Sequence, residues 1–254
     1  MLKLIFSDLD DTLLDSKKMV SNKTMNFIKG LKDTRFIVNS GRLPYNMEPI
    51  KQYIDLSNMV CGNGAYIIID GKLIYSCCLD KNDAYDLLDY GYSRGYVPRL
   101  YLDSGLYITE NSNMPTSVKI NMVNKDELYD LLKKENVYKI AFSDYNKDHL
   151  EDVRHFINDK NNMVCEYSNY WFLECHHKDT SKGNAIDIVS KLLNVKSDEI
   201  LVIGDNENDI SMFNRGYHSA CPSNACDKVK NMVEYVSSLD CNHDAMIDII
   251  KRFL

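Results

Sequence analysis

Asp8 and Asp10 stand two residues apart, directly after the apolar run Leu4-Ile5-Phe6-Ser7. Residues two apart in an extended chain point to the same side, so both carboxylates enter one small space. Like charges at that distance oppose joint ionisation, and the pair calls for a raised pKa, a bound cation or both. Aspartates after a strand also serve as turn and cap formers, so this segment alone leaves a structural reading open. A second acidic run, Gly204-Asp205-Asn206-Glu207-Asn208-Asp209, follows apolar residues 200–203. Oxygen donors without histidine favour magnesium or calcium over zinc or copper. A calcium-binding EF-hand needs Gly at the sixth loop position and Glu at the twelfth. Counting from Asp8 gives Leu13 and Met19, and counting from Asp205 gives Ile210 and Gly216, so both runs fail that test.

Two more segments carry groups suited to an anion. Ser40-Gly41-Arg42 combines a hydroxyl, a permissive glycine and backbone amides at the end of an apolar stretch, where a plain Ser-Gly turn is the competing reading. Lys182 follows Thr180-Ser181 at the expected start of a helix, where the helix dipole opposes a cation. An anion bound there explains the lysine; simple solvation is the alternative.

These segments need a scaffold that brings strand ends together. Short apolar runs at residues 2–6, 36–39, 59–61 and 200–203 suit buried strands of a parallel sheet, and residues 22–31 and 184–193 repeat apolar side chains at helical spacing. Strand alternating with helix implies an α/β fold, a Rossmann-like doubly wound core whose ligands bind beyond the carboxyl ends of the strands. Residues 79–178 break the rhythm. Strand-like stretches at 99–108, 118–123 and 138–143 and helix-like stretches at 125–135 and 147–158, followed by residues 163–174, suggest an inserted α+β domain. The expected division is a core of residues 1–78 and 179–254 and an insertion of residues 79–178.

With 44% hydrophobic and 26% charged residues, the composition is that of a folded globular chain. Lys and Arg number 30 against 37 Asp and Glu, a net charge of -7 without a basic stripe, which argues against a nucleic-acid partner. The short apolar start does not fit a signal peptide and no run suggests a membrane span, so the expectation is a cytoplasmic protein with no membrane partner. None of the eight cysteines forms a C-x-x-C pair, and all are read as reduced thiols. Gly62-Asn63-Gly64 does not extend to a dinucleotide-binding G-x-G-x-x-G and reads as a hairpin turn. Adjacent His176 and His177 read as surface or linker residues, and Tyr101, Tyr107, Tyr145 and Trp171 as packing.

Four segments in order, Asp8-Leu9-Asp10-Asp11-Thr12-Leu13, Ser40-Gly41-Arg42, Ser181-Lys182-Gly183-Asn184-Ala185 and Gly204-Asp205-Asn206-Glu207-Asn208-Asp209-Ile210-Ser211-Met212, resemble the haloacid dehalogenase superfamily. The resemblance is to its Cof-type phosphatases, which carry a large cap inserted after the second motif. Asn63-Gly64-Ala65, Ser223-Asn224-Ala225 and the C-terminal amphipathic stretch are also similar, so the likeness spans the chain. It implies a phosphatase acting on a small-molecule phosphate ester, a sugar phosphate or phosphorylated cofactor, with Mg2+. Asp8 is then the nucleophile and Asp10 the acid and base. The metal is implied at Asp8, Asp205 and the Asp10 backbone carbonyl; the phosphoryl group at Ser40, Gly41, Lys182 and Asn208. Asp209 would orient Lys182 or metal-bound water, and the insertion would act as a lid that selects the leaving group. A phosphosugar mutase of the same superfamily is the nearest alternative, and a phospho-accepting signalling module a more distant one. Two departures stand out: Asp11 where the family most often has Gly, and Ser219-Ala220-Cys221-Pro222 in place of its usual small apolar-glycine run.

Overall fold

The computed structural model describes residues 1–110 and 119–254, and for residues 168 and 169 the backbone alone. The chain divides into two compact units, Met1–Ser76 with Ser181–Leu254, and Cys77–Thr180.

In the first unit the chain forms β1 (Leu4–Ser7), α1 (Asn22–Lys29), β2 (Arg35–Asn39), β3 (Met59–Cys61), β4 (Tyr66–Ile69) and β5 (Lys72–Ser76). The second unit runs through α2 (Lys81–Ser93), β6 (Arg99–Leu102), β7 (Leu106–Ile108), β8 (Ile120–Met122), α3 (Lys125–Lys134), β9 (Val137–Ser143), α4 (Lys147–Asn158), β10 (Met163–Asn169) and β11 (Phe172–His177). The chain then returns to the first unit with α5 (Lys182–Leu193), β12 (Ile200–Ile203), α6 (Ile210–Phe213), β13 (His218–Cys221), α7 (Asp227–Lys230), β14 (Tyr235–Val236) and α8 (Ala245–Phe253).

The first sheet has the order β14-β13-β12-β1-β2-β3-β4-β5, parallel from β14 through β3 and antiparallel thereafter. Both faces are covered, which is why its central strands read as unbroken apolar runs. Side chains alternate across the pleat: Leu4 and Phe6 pack with Ile186, Val189 and Met212, whereas Ile5 packs in a separate cluster with Ile249 and Ile250. The carboxyl ends of β1, β2, β3 and β12 are therefore held in one row, since Ser7 lies opposite Val38 and Ile203, and Asn39 opposite Val60.

The second unit is α+β. Its sheet runs β10-β11-β9-β6-β7-β8, antiparallel except where β7 meets β8. Leu100, Leu102, Ile140, Phe142 and Leu173 face Leu87, Leu88, Leu128, Leu132, Leu150 and Val153 of α2, α3 and α4. Residues 99–108 make two strands rather than one, because Gly105, at φ 155°, turns the chain into a hairpin closed by Leu102 N donating to Gly105 O at 2.9 Å. Of the stretch 118–123, Val118 lies outside the described residues. His176 belongs to β11 and is buried, contrary to a surface or linker placement, because strand alternation puts it with Glu174 on a shielded face. Tyr101 is buried, while Tyr145 is 62% exposed and so is not the packing residue expected. All eight cysteines are free. Among the described residues, no helix is long and apolar enough to cross a membrane.

Candidate active site

Asp8 extends β1 by one residue: its N–H donates to Ile203 O at 2.8 Å before the chain curls back, with Leu13 N and Leu14 N both bonding Leu9 O. The ladder thus delivers the Asp8 side chain at the sheet edge, where it is buried. Lys182 Nζ donates to Asp8 Oδ1 at 2.5 Å and to Asp209 Oδ1 at 2.6 Å. Ser181 caps α5 by accepting the Asn184 N–H at 3.0 Å, so Lys182 is the first residue of the helix, and two carboxylates offset the dipole that opposes its charge. The other oxygen of Asp209 accepts the N–H groups of Asp205 and Asn206 at 2.9 and 3.1 Å. Only glycine permits this at position 204, because a Cβ there would lie 2.4 Å from the Asp209 carboxyl carbon. Asp205 in turn accepts a hydrogen bond from Thr12 Oγ1 at 2.6 Å. Asp8, Asp205, Asp209 and Lys182 are brought into one group.

Asp10 is held differently. Arg42 grips it with two bonds, Nε to Oδ2 at 2.8 Å and Nη2 to Oδ1 at 2.7 Å, the fork geometry that suits a carboxylate. Lys18 Nζ adds a contact of 3.1 Å to Asp10 and one of 3.2 Å to Asp11. Asp11 sits at φ 61°, a left-handed conformation that costs an ordinary residue about 1–2 kcal/mol and that glycine adopts freely.

Ser40, Gly41 and Asn208 gather around Asn63, which the sequence marks as a turn residue and as part of a segment similar to the family, but not as a site residue. Asn63 N donates to Ser40 O at 3.0 Å, and Asn208 Nδ2 donates to Asn63 Oδ1 at 3.3 Å. A Cβ on Gly41 would stand 3.0 Å from the same Asn63 oxygen. Ser40 Oγ accepts the Arg42 N–H at 3.1 Å, tying this group to the one that grips Asp10. Sequence reasoning left Thr12, Lys18, Arg42 and Asn63 out of the site. Arg42 and Thr12 lie inside the quoted motifs and Asn63 between two glycines, so a signal was present for those three; Lys18 carries none.

The sequence profile of the haloacid dehalogenase-like hydrolases matches residues 5–250. The chain belongs to this family. Among curated relatives of this haloacid dehalogenase-like hydrolase, it is 27% identical over 256 residues to the phosphoglycolate phosphatase of Picrophilus torridus, covering 100% of this chain and 92% of that one. It is 22% identical over 266 residues to the 5-amino-6-(5-phospho-D-ribitylamino)uracil phosphatase YwtE of Bacillus subtilis, covering 93% of each. The fold matches a haloacid dehalogenase-like hydrolase from B. subtilis with a TM-score of 0.88, at 23% identity and over the full length of both chains.

Charge balance in this haloacid dehalogenase-like hydrolase calls for a cation. Carboxylate oxygens of Asp8, Asp205 and Asp209 lie within 4.8 Å of one another, and the buried ammonium of Lys182 pairs with two of them, Asp8 and Asp209. Burial pushes the Asp8 carboxyl up to about 7 against the pull of Lys182, with Asp209 and Asp10 adding to the rise. Burial, then the charges of Asp8 and Asp209, drives Asp205 well above the ordinary carboxylate range. Lys182 is raised in spite of its burial, by Asp209 and Asp8. Three carboxylates against one ammonium, all-oxygen donors and strong desolvation fit a divalent hard cation. Asp10 gives this group no carboxylate, because its side chain is taken up by Arg42; the ligand expected from it is the backbone carbonyl. Burial works to raise the Asp10 carboxyl, but the hydrogen bonds and charge of Arg42, with Lys18, outweigh it and hold Asp10 below its usual value.

Proposed function

We propose that the chain is a magnesium-dependent phosphatase that hydrolyses small phosphorylated metabolites, sugar phosphates or phosphorylated cofactors, through an aspartyl phosphate on Asp8. The observation that carries this reading is the buried Asp8 carboxylate in contact with Lys182 and grouped with Asp205 and Asp209. The named activities of the two curated relatives support it, since both act on small phosphate monoesters.

Asp8, Asp205 and the Asp10 carbonyl would hold Mg2+, with Asp209 close enough to take part. The bound ion supplies positive charge that keeps Asp8 ionised and offsets the charge of the phosphoryl group. An Asp8 oxygen forms a bond to phosphorus as the ester P–O bond breaks, and Asp10 passes a proton to the departing oxygen. Asp10, now a carboxylate, takes a proton from water; the water oxygen bonds to phosphorus, the Asp8–phosphorus link breaks, and inorganic phosphate leaves. Lys182, Ser40 and Asn208 hold the phosphoryl oxygens throughout. The Arg42 clamp keeps Asp10 in the form needed as base, so the acid step requires Asp10 to gain a proton as the clamp loosens.

Phosphate release across a panel of phosphorylated metabolites, with and without magnesium, tests the reading. Wild type should release phosphate only with the ion, and Asp8→Asn should lose at least about a thousandfold in rate. Full activity in Asp8→Asn removes the nucleophile assignment, and isomer formation without phosphate release selects a mutase.

A further inference from the structure

The turn between β3 and β4 does more than reverse the chain. A hairpin turn ordinarily sits in solvent, but Asn63 at its centre is 1% exposed, in a left-handed conformation at φ 54°, ψ 33°. Gly62 and Gly64 on either side also have positive φ, 60° and 101°. Three strand-end loops close on this turn. From the β2 loop, Ser40 O accepts the Asn63 N–H at 3.0 Å and Arg42 O accepts the Gly62 N–H at 2.9 Å. After β12, Asn208 Nδ2 reaches Asn63 Oδ1. Ahead of α5, the Ser181 carbonyl oxygen lies 2.3 Å from where a Cβ on Gly64 would stand, so only glycine lets the backbone carrying Lys182 come this close.

We propose that Asn63 is a positioning residue for the phosphoryl site. Its backbone fixes the Ser40–Gly41 loop and its side-chain oxygen fixes the Asn208 amide, so that groups from β2 and β12 meet one tetrahedral anion together. A left-handed residue with a short amide side chain suits both tasks, since Asn tolerates this conformation far better than a branched or long residue. The inference rests on the phosphatase reading for its substrate, but the ligand it concerns is the phosphate dianion itself.

The test uses Asn63→Gly, which keeps the left-handed backbone and deletes the amide, together with Asn208→Ala and the double variant. Inorganic phosphate binding is measured by titration calorimetry in magnesium, and KM, kcat and the magnesium concentration for half-maximal rate with p-nitrophenyl phosphate. Losing one hydrogen bond to the phosphate-binding unit should weaken phosphate binding and raise KM roughly tenfold in Asn63→Gly. The double variant should be no weaker than Asn208→Ala alone, because the two residues act as one, and the magnesium requirement should stay within about twofold of wild type. Unchanged phosphate affinity in a folded Asn63→Gly, independent and multiplying effects of the two substitutions, or a magnesium requirement shifted as much as KM each overturns the inference. Should Asn63→Gly fail to fold, Asn63→Ser takes its place under the same criteria. A wild type that binds phosphate without turning over contradicts the phosphatase reading while the calorimetry still decides on Asn63; one that neither binds nor turns over overturns both.

Discussion

Lys182 Nζ lies 2.6 Å from Asp209 Oδ1 with both side chains completely shielded from solvent. The carboxylate that holds the ammonium is itself held by two backbone N–H groups of the β12 loop, so the position of the Lys182 ammonium is set by a loop after another strand. The assembly is held from several sides, since both Asp209 oxygens accept hydrogen bonds and Lys182 donates to two carboxylates.

Replacing Asp209 with Asn keeps the shape and removes the charge. Breaking one side of a buried ion pair typically costs about 3–5 kcal/mol, here lessened because Lys182 keeps Asp8. Asp209→Asn should therefore lose about 2–3 kcal/mol of stability in urea unfolding and drop kcat about a hundredfold or more as Lys182 shifts. A variant with wild-type unfolding and wild-type kcat contradicts the assigned role.

Gly204→Ala tests the same assembly without touching a charge. The added Cβ would sit 2.4 Å from the Asp209 carboxyl carbon, so the Asp209 side chain, held by Lys182 and two backbone N–H groups, must shift. The expected loss is about 3 kcal/mol or more, read as a lowered melting temperature together with near-complete loss of phosphate release. An alanine at Gly71, where nothing lies within 4 Å but φ is 72°, should cost only about 1–2 kcal/mol and leave the rate intact.

How much of this was legible in sequence depended on whether the information was local. Apolar runs such as Leu4–Ser7 and Ile200–Ile203 announced strands buried on both faces, and polar clusters after them announced a shared edge. Asp8, Lys182, Asp205 and Asp209 could be read because each sits at a fixed offset from a strand or helix end. The Arg42 clamp on Asp10 could not, because an ion pair between two loops depends on where strand ends meet in space. Asn63 was read as a turn residue, which it is; its second duty shows only once the β2, β12 and α5 loops are seen around it. The left-handed φ of Asp11 likewise has no signature in a residue that also forms ordinary turns and caps.

The acid side of the site carries a pH signature. Asp8 titrates in the folded protein near 7 against an ordinary 3.8, so the native state holds this proton more tightly than the unfolded chain. That contribution is fully present below about pH 4 and is lost as pH rises to about 7; Asp205 shifts in the same direction. A divalent ion binds the deprotonated carboxylates, so its stabilisation should grow over that window. Thermal melts at several pH values between about 5 and 8, with chelator and with magnesium, check this. The chelated protein should melt progressively lower as pH rises, and the magnesium-induced increment should be largest at the alkaline end. An increment independent of pH would contradict it.

Arg42→Leu should leave the magnesium requirement unchanged but disorder Asp10. Proton donation matters most when the departing oxygen is a poor leaving group. Rates with alkyl phosphates should fall roughly 10- to 100-fold, and those with p-nitrophenyl phosphate by much less. Equal losses on both substrates would place Arg42 on the phosphoryl group instead. With its clamp gone, Asp10 should also rise toward its ordinary pKa, and the stability that the ion pair lends above about pH 4 should disappear.

The strand pairing has a consequence for biosynthesis. β1 leads directly into Asp8, the proposed nucleophile, yet one of its two neighbours is β12, with Leu4 paired to Ile200. At ~5–20 residues per second, a ribosome needs on the order of ten seconds or more to make that partner. Meanwhile every strand of the second sheet, all within Cys77–Thr180, has already been synthesised and can pair. The insertion is thus free to fold first, while β1 waits with one edge open to nascent-chain chaperones or to unwanted pairing. Pairing of that edge and assembly of the Asp8, Lys182, Asp205 and Asp209 group both await the segment from Lys182 to Asp209, so a chain stopped short of it lacks the proposed site and keeps an unpaired strand edge.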